Sequence, residues 1–406
     1  MMGLSWQEAA GVQRETKFTS PYNPDYDGSR VHIYDSTLRD GEQMPGVAFS
    51  VGDKVSIARA LDGAGVPEVE AGFPSVSEGE FSAIKAIVDL GLDADVSVLC
   101  RCCMPDLDKA RQLDVDLVML FIASSEIHMR DKLRTDHAGV MEQVATALDY
   151  CRDHGIPFSF STEDTTRSEL GFVRDLNWMA AERGARRIGI TDTVGCATPE
   201  AITHVVCFLK EDLPCHLSVH LHNDMGLATA NAVAGVLAGA THVSTTVNGI
   251  GERAGNVPLQ EFVLVMEALY NVSTGVNTAK LTDLSRLVSS LSKVPIHPNQ
   301  PITGANAFAH ESGIHVAAVY ANPFTYEPIM PESVGNERLI VLGKHTGHRA
   351  IRHVLMGKGI MANEGEVEAI LREVKSRGEA KGSVPWDEFW GIVAKATGTH
   401  TGLDQA

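Results

Sequence analysis

Two histidines at alternate positions, His220 and His222, close the run CHLSVHLHND at 215–224, and Asn223 and Asp224 follow at once. In a strand, residues two apart project to the same side, so the two imidazoles would face one way, which suits a divalent metal. The alternative is a pair of hydrogen-bonded core histidines, and the choice depends on where the strand lies. Other polar clusters recur along the chain: STLRDGEQ at 36–43, EAGFP at 70–74, RCC at 101–103, STED at 161–164, TDTVG at 191–195 and NGIGERAGN at 248–256. Arg, Asp, Glu and His are the side chains that hold anions, bind metals and move protons.

The elements that carry these clusters show a rhythm. Short β-rich runs occupy 31–35, 67–73, 95–101, 116–122, 156–162, 186–192, 216–222 and 242–249. Between them lie segments with apolar residues at three- and four-residue spacing, among them 51–65, 137–155 and 173–185. Eight strands alternating with helices predict a (β/α)8 TIM barrel, an α/β fold, spanning 30–272. A doubly wound open sheet would need a glycine-rich phosphate turn after an early strand, and DSTLRDGEQ is not one. In a barrel the strand ends converge on one rim, and each polar cluster falls just past a strand end. That placement favours the metal reading of His220 and His222.

Beyond the barrel the character changes. Helical segments at 281–293, 344–357, 364–377 and 385–396 surround 302–328, which carries His310, His315 and Tyr326. Residues 273–406 are therefore expected to form a smaller helical appendage that supplies groups to an active site. Residues 1–29, polar and rich in Pro, Gly and Asn near their end, read as an extended arm.

Composition limits the partners. A formal charge of −18 over 406 residues argues against nucleic acid and against an anionic membrane surface. No apolar run approaches a membrane span, and the amino terminus lacks a secretory signal pattern. Seven cysteines form no regular framework, which fits a reducing cytoplasm. The CRCC run at 100–103 lacks a second pair spaced to complete a zinc site.

DSTLRDGEQ, HLHNDMGLATANAVAGVLAGATHVSTTVNGIGERAGN and HESGIH resemble the acyl-CoA-condensing enzymes related to 2-isopropylmalate, homocitrate and citramalate synthases. These are metal-dependent TIM-barrel proteins, and the resemblance runs from about residue 31 to about 350. The pattern looks most like the homocitrate synthases of nitrogen-fixing bacteria. The resemblance implies a condensation of acetyl-CoA with a 2-oxo acid, followed by hydrolysis that releases CoA. It assigns the metal, which could be Mg, Mn, Co or Zn, to Asp40, His220, His222 and Asn256. Arg39 would face the acceptor's carboxylate or the developing oxyanion, with Gln43, Glu70 and Thr193 lining the acceptor pocket. Glu163, His315 and Tyr326 would carry proton transfer, and His310 would be structural. In related enzymes this His and Tyr come from the partner subunit, which implies a homodimer with shared active sites.

The acceptor stays open at this stage. Arg101, at the end of a rim strand, is costly to desolvate unless it meets an anion, so it is expected to hold a second anionic group of the acceptor. That favours 2-oxoglutarate, giving homocitrate, with 3-phosphonopyruvate, giving 2-phosphonomethylmalate, or oxaloacetate as alternatives. Ser159 and Cys103 depart from lysine-pathway homocitrate synthases, which carry arginine and histidine there. Isopropylmalate or citramalate synthesis therefore also remains open. A hydroxymethylglutaryl-CoA lyase would place a cysteine in the glycine-rich loop, and NGIGERAGN has none. A non-catalytic acyl-CoA sensor would be expected to have lost some of these polar residues.

Overall fold

The aliphatic and β-branched runs fold as eight parallel strands. They are β1 His32–Asp35, β2 Glu68–Gly72, β3 Asp95–Arg101, β4 Leu117–Ala123, β5 Phe158–Glu163, β6 Arg187–Asp192, β7 His216–Leu221 and β8 His242–Thr245. Each pairs with the next, and β1 returns to β8, with His32 opposite His242 and Asp35 opposite Thr245. Closure excludes the doubly wound alternative. The structure is a computed structural model and describes residues 19–24, 26, 28, 30–211 and 213–398. The arm expected over 1–29 lies for the most part outside the described residues.

Strand parity explains the barrel wall. Val118, Leu120 and Ile122 on β4, Phe160 on β5, and Leu217, Val219 and Leu221 on β7 are buried. They occupy the positions of a barrel strand that meet surrounding helices, while the alternate positions face the interior. The helices start where short polar side chains satisfy their free N–H groups. Ser50 and Asp53 form a capping box on Val51–Gly63, Ser77 caps Glu78–Val88, and Asp136 caps His137–Asp153. Thr198 caps Pro199–Lys210, where Pro199 takes a first-turn position that needs no N–H.

Of the boundaries that differ from the sequence reading, two bear on the site. Strand β8 stops at Thr245 rather than running to 249, because Asn248 turns left-handed (φ 63°) inside a short 3-10 turn. The barrel unit extends to Ile296 rather than 272. The helix Leu281–Ser292 belongs to it, since Asn248 Nδ2 donates to the Ser285 carbonyl (2.9 Å) and Asn277 N donates to that of Ala64 (2.7 Å).

The carboxy-terminal unit begins at His297. It holds the helices Gly313–Ala321, His348–Gly357, Glu364–Lys381 and Trp386–Thr397, and a two-residue parallel pair, β9 Ala309–His310 with β10 Leu339–Ile340. Ile351, Leu355, Ile370, Val374 and Phe389 form part of its own core. Among the described residues no helix is long and apolar enough to cross a membrane.

Candidate active site

Asp40 follows the turn after β1, His220 lies on β7 and His222 is one residue beyond it. Asp40 Oδ2 stands 3.4 Å from His220 Nε2 and 3.9 Å from His222 Nε2, and one ligand atom from each of the three lies within 4.8 Å of the others. Among the described residues this is the one such group of His, Cys, Asp or Glu. His220 Nδ1 is 2.9 Å from Ser244 Oγ on β8, a contact that turns Nε2 toward Asp40.

Asn256 completes the cluster through the glycine-rich loop. Its Nδ2 donates to Asp40 Oδ1 (2.8 Å), and its own Oδ1 is buried without a partner. Two backbone bonds hold the loop in place, Asn223 N to the Gly255 carbonyl (2.9 Å) and Asn256 N to that of Gly249 (3.1 Å). Residue 251 must be glycine, because a Cβ there would meet Asn256 Nδ2 at 2.1 Å.

The protonation states fit a cation. Burial alone would push the Asp40 carboxyl up, but Arg39, His220 and His222 overcome it and hold the group well below the usual carboxylate range. Burial, then the neighbouring His220, lowers His222 to about 4. An ionised carboxylate, the neutral imidazole of His222 and an orphaned amide oxygen are what a divalent metal requires of its ligands. Oxygen and imidazole donors without thiolate suit Mg, Mn, Co or Zn alike.

Arg39 joins this group to β2. Its Nε and Nη2 donate to the two carboxylate oxygens of fully buried Glu70 (2.6 and 3.0 Å), and its Nη1 donates to Asp40 Oδ2 (2.6 Å). Ser36 Oγ donates to Glu70 as well (2.5 Å). Above them opens a cavity of about 310 Å³ that touches Arg39, Asp40, Gln43, Glu163, Thr193, His220 and His222. Thr193 Oγ1 accepts from Asp164 N (2.8 Å), which fixes the hydroxyl at the wall.

Glu70 is not among the residues that line this cavity; its charge is met by Arg39 and Ser36. Arg101 is placed otherwise than expected. It donates from Nε and Nη2 to Asp106 (2.9 and 2.8 Å), its side chain is 58% exposed, and it is not among the cavity's lining residues. The argument that a desolvated guanidinium must seek the acceptor's anion lapses, because Asp106 at the start of helix Met104–Ala110 supplies one.

In the carboxy-terminal unit the rings of His315 and Tyr326 lie 4.0 Å apart, centroid to centroid. His310 Nε2 is 3.0 Å from Glu327 Oε1, and Arg338 donates to both oxygens of that carboxylate (2.6 Å each). That bonding is consistent with a structural His310.

Several cavity residues escaped sequence reasoning. Leu99, Met119 and Phe121 form an apolar wall, with Tyr34 and Phe73 nearby. Their signal was strand parity at the rim ends of β3 and β4, which composition alone hides among core residues. Arg253 donates to Asp224 (2.8 Å from both Nε and Nη2) and to the Thr193 carbonyl (2.7 Å). Lys132, in the loop after β4, donates to both oxygens of Glu163.

Residues 30–288 match the HMGL-like family, and residues 302–382 match the family described as homocitrate synthase post-HMGL domain-like. The homocitrate synthase AksA of Methanothermobacter thermautotrophicus is 44% identical over 94% of this chain and 98% of its own length. The homocitrate synthase AksA of Methanopyrus kandleri is 48% identical over 86% of this chain and 88% of its own. The (R)-citramalate synthase CimA of Methanocaldococcus jannaschii is 43% identical over 91% of this chain and 75% of its own. A Bacillus subtilis HMG-CoA lyase structure superposes with a TM-score of 0.61 at 19% identity, covering 67% of this chain and 97% of that one. At that identity the likeness is one of fold.

Proposed function

The chain belongs to the HMGL-like family, and on that premise we propose that it condenses acetyl-CoA with a 2-oxo acid and hydrolyses the thioester to release CoA. The observation that carries this reading is the meeting of Asp40, His220, His222, Arg39 and Glu163 around one cavity. Asp40, His220, His222 and Asn256 would hold the divalent metal, whose chemistry here is Lewis acidity toward the acceptor's keto oxygen and carboxylate. Arg39, anchored by Glu70, presents its charge to the acceptor oxygens and opposes the negative charge that develops there. Gln43 and Thr193 orient the acceptor from the cavity wall.

Removing a methyl proton from the thioester needs a positioned base. We assign that transfer to Glu163, His315 and Tyr326, with His315 and Tyr326 acting at the partner's barrel in a homodimer. Nucleic acid is no partner for a chain of this charge, and its unpaired thiols suit the cytoplasm.

The acceptor ranked first is 2-oxoglutarate, giving homocitrate, supported by relatives named homocitrate synthase at 44–48% identity. 3-Phosphonopyruvate stays behind it as a second dianion. One observation favours another acceptor class: Leu99, Met119 and Phe121 suit the apolar tail of an isopropylmalate- or citramalate-type substrate. Release of CoA from acetyl-CoA against a panel of 2-oxo acids tests both. Turnover that depends on the acceptor supports the reaction, and CoA release indifferent to every acceptor overturns it. Preference for 2-oxoisovalerate or pyruvate overturns the dianion ranking.

A further inference from the structure

We infer that Lys132 is a positioning residue, whose ammonium fixes the Glu163 carboxylate in the orientation that proton transfer requires. The inference rests on the reading of Glu163 as part of the proton-transfer group. Lys132 Nζ lies 2.7 Å from Glu163 Oε1 and 2.6 Å from Oε2, so one cation restrains rotation of the whole carboxylate. Both residues line the reaction cavity.

An ion pair between flexible surface side chains is ordinarily worth little, because ordering them consumes the gain. Here the backbone that carries Lys132 is already ordered. It sits in a single wide turn, Met129–Leu133, anchored by buried Met129 and closed by Thr135 N donating to the Met129 carbonyl (3.1 Å). Arg134 then reverses the chain in the left-handed region (φ 54°).

The same segment is fastened to the strand end that carries Glu163. Ser124 N donates to the Glu163 carbonyl (3.1 Å), and Ser125 Oγ donates to Asp164 Oδ2 (2.6 Å). Glu163 is also the better shielded partner, its side chain 19% exposed against 50% for Lys132. His128 Nδ1, at 3.7 Å from Oε1, is too distant to take over the carboxylate. Ammonium and carboxylate thus have carriers tied to each other, and the lysine defines where the carboxylate points.

The test uses the full-length, metal-loaded protein. Lys132→Met keeps the length of the side chain and removes its charge, and misplacing a catalytic group by about 1 Å costs up to about a hundredfold. We expect kcat to fall about ten- to a hundredfold, with KM for the acceptor changed by less than about threefold. Lys132→Arg should recover part of the loss, and ethylammonium should partly rescue Lys132→Ala. On a Glu163→Gln background, Lys132→Met should cost nothing further, because the lysine acts through that carboxylate. Unchanged kcat in Lys132→Met, or full additivity with Glu163→Gln, overturns the inference. Full activity in Glu163→Gln alone instead overturns the reading of Glu163 on which it stands. Metal content and thermal midpoint equal to wild type show that a loss in either lysine variant is not unfolding.

Discussion

At the rim end of the barrel, His220 and His222 stand beside Asp40; at the opposite end of β1, β7 and β8, His32, His216 and His242 gather around one another. His32 and His242 stack with centroids 4.9 Å apart, and His216 lies 5.3 Å from His242. What differs is the carboxylate. At the rim, Asp40 is ionised and shared between two imidazoles. At the other end the nearby carboxylate, Glu68, is committed to Arg187 through two short contacts (2.5 and 2.8 Å), and that guanidinium packs over Tyr34. Burial and the charge of Arg187 then hold His242 down at about 3. A ligand set is therefore made by a carboxylate that stands between imidazoles, as Asp40 does even while Arg39 donates to it, and histidine number does not decide it.

The strongest way to break this comparison is at the rim. Asp40→Asn, or His220→Ala with His222→Ala, should abolish metal binding and lower kcat/KM by about 10² to 10⁴, as loss of several kcal/mol of Lewis-acid stabilisation implies. His32→Ala should leave metal content unchanged. Metal retention in the rim variants, measured by elemental analysis after dialysis, would refute the ligand assignment.

Next in size is the buried pair at the other end. Glu68→Gln leaves Arg187 buried without its counter-charge and should destabilise the fold by about 3–5 kcal/mol in denaturant titrations. Unlike the rim variants, it should keep its metal and its KM values.

A smaller effect sharpens the contrast in acid. His242 titrates near 6.5 when unfolded and about 3 when folded, so only the unfolded chain takes up a proton between those values. Its contribution to stability is complete above about pH 6.5 and is lost as pH falls toward 3, by about 1.4 kcal/mol per unit. Between about pH 7 and 5, wild type should lose about 2 kcal/mol more than His242→Gln. Equal losses would mean the imidazole is not desolvated.

Smallest is Arg101→Ala. Arg101 is exposed and Asp106 is buried, but the carboxylate keeps the backbone N–H of residue 101 as a donor (3.0 Å), so the fold should hold and the preference among acceptors should not move. A selective loss of 2-oxoglutarate turnover would return Arg101 to the site.

The strands and the rim histidines were legible because period-2 patterning survives in short β-rich runs, and His220 and His222 obey it. Asp40 and Arg39 could be placed because they follow the first strand directly. Lys132 could not be: it sits in a wide turn with neither helical nor strand periodicity, and its partner is 31 positions away. The pairing of Arg101 with Asp106 was not legible, because sequence shows the strand end but not the carboxylate that the next helix turns back toward it. The chemistry of a rim is readable strand by strand, while pairings between its loops are not.

The Arg39–Glu70 pair has a consequence for how sequences of this kind change through time. Glu70 is fully buried and receives both Arg39 Nε and Nη2. Losing either partner alone strands a charge at a cost of about 3–5 kcal/mol, a large share of the 5–15 kcal/mol that holds a typical domain together. A lineage that loses one residue passes through a poorly folded ancestor, so the two positions are expected to be kept together or exchanged together. Separate single replacements in an alignment of relatives would count against that coupling.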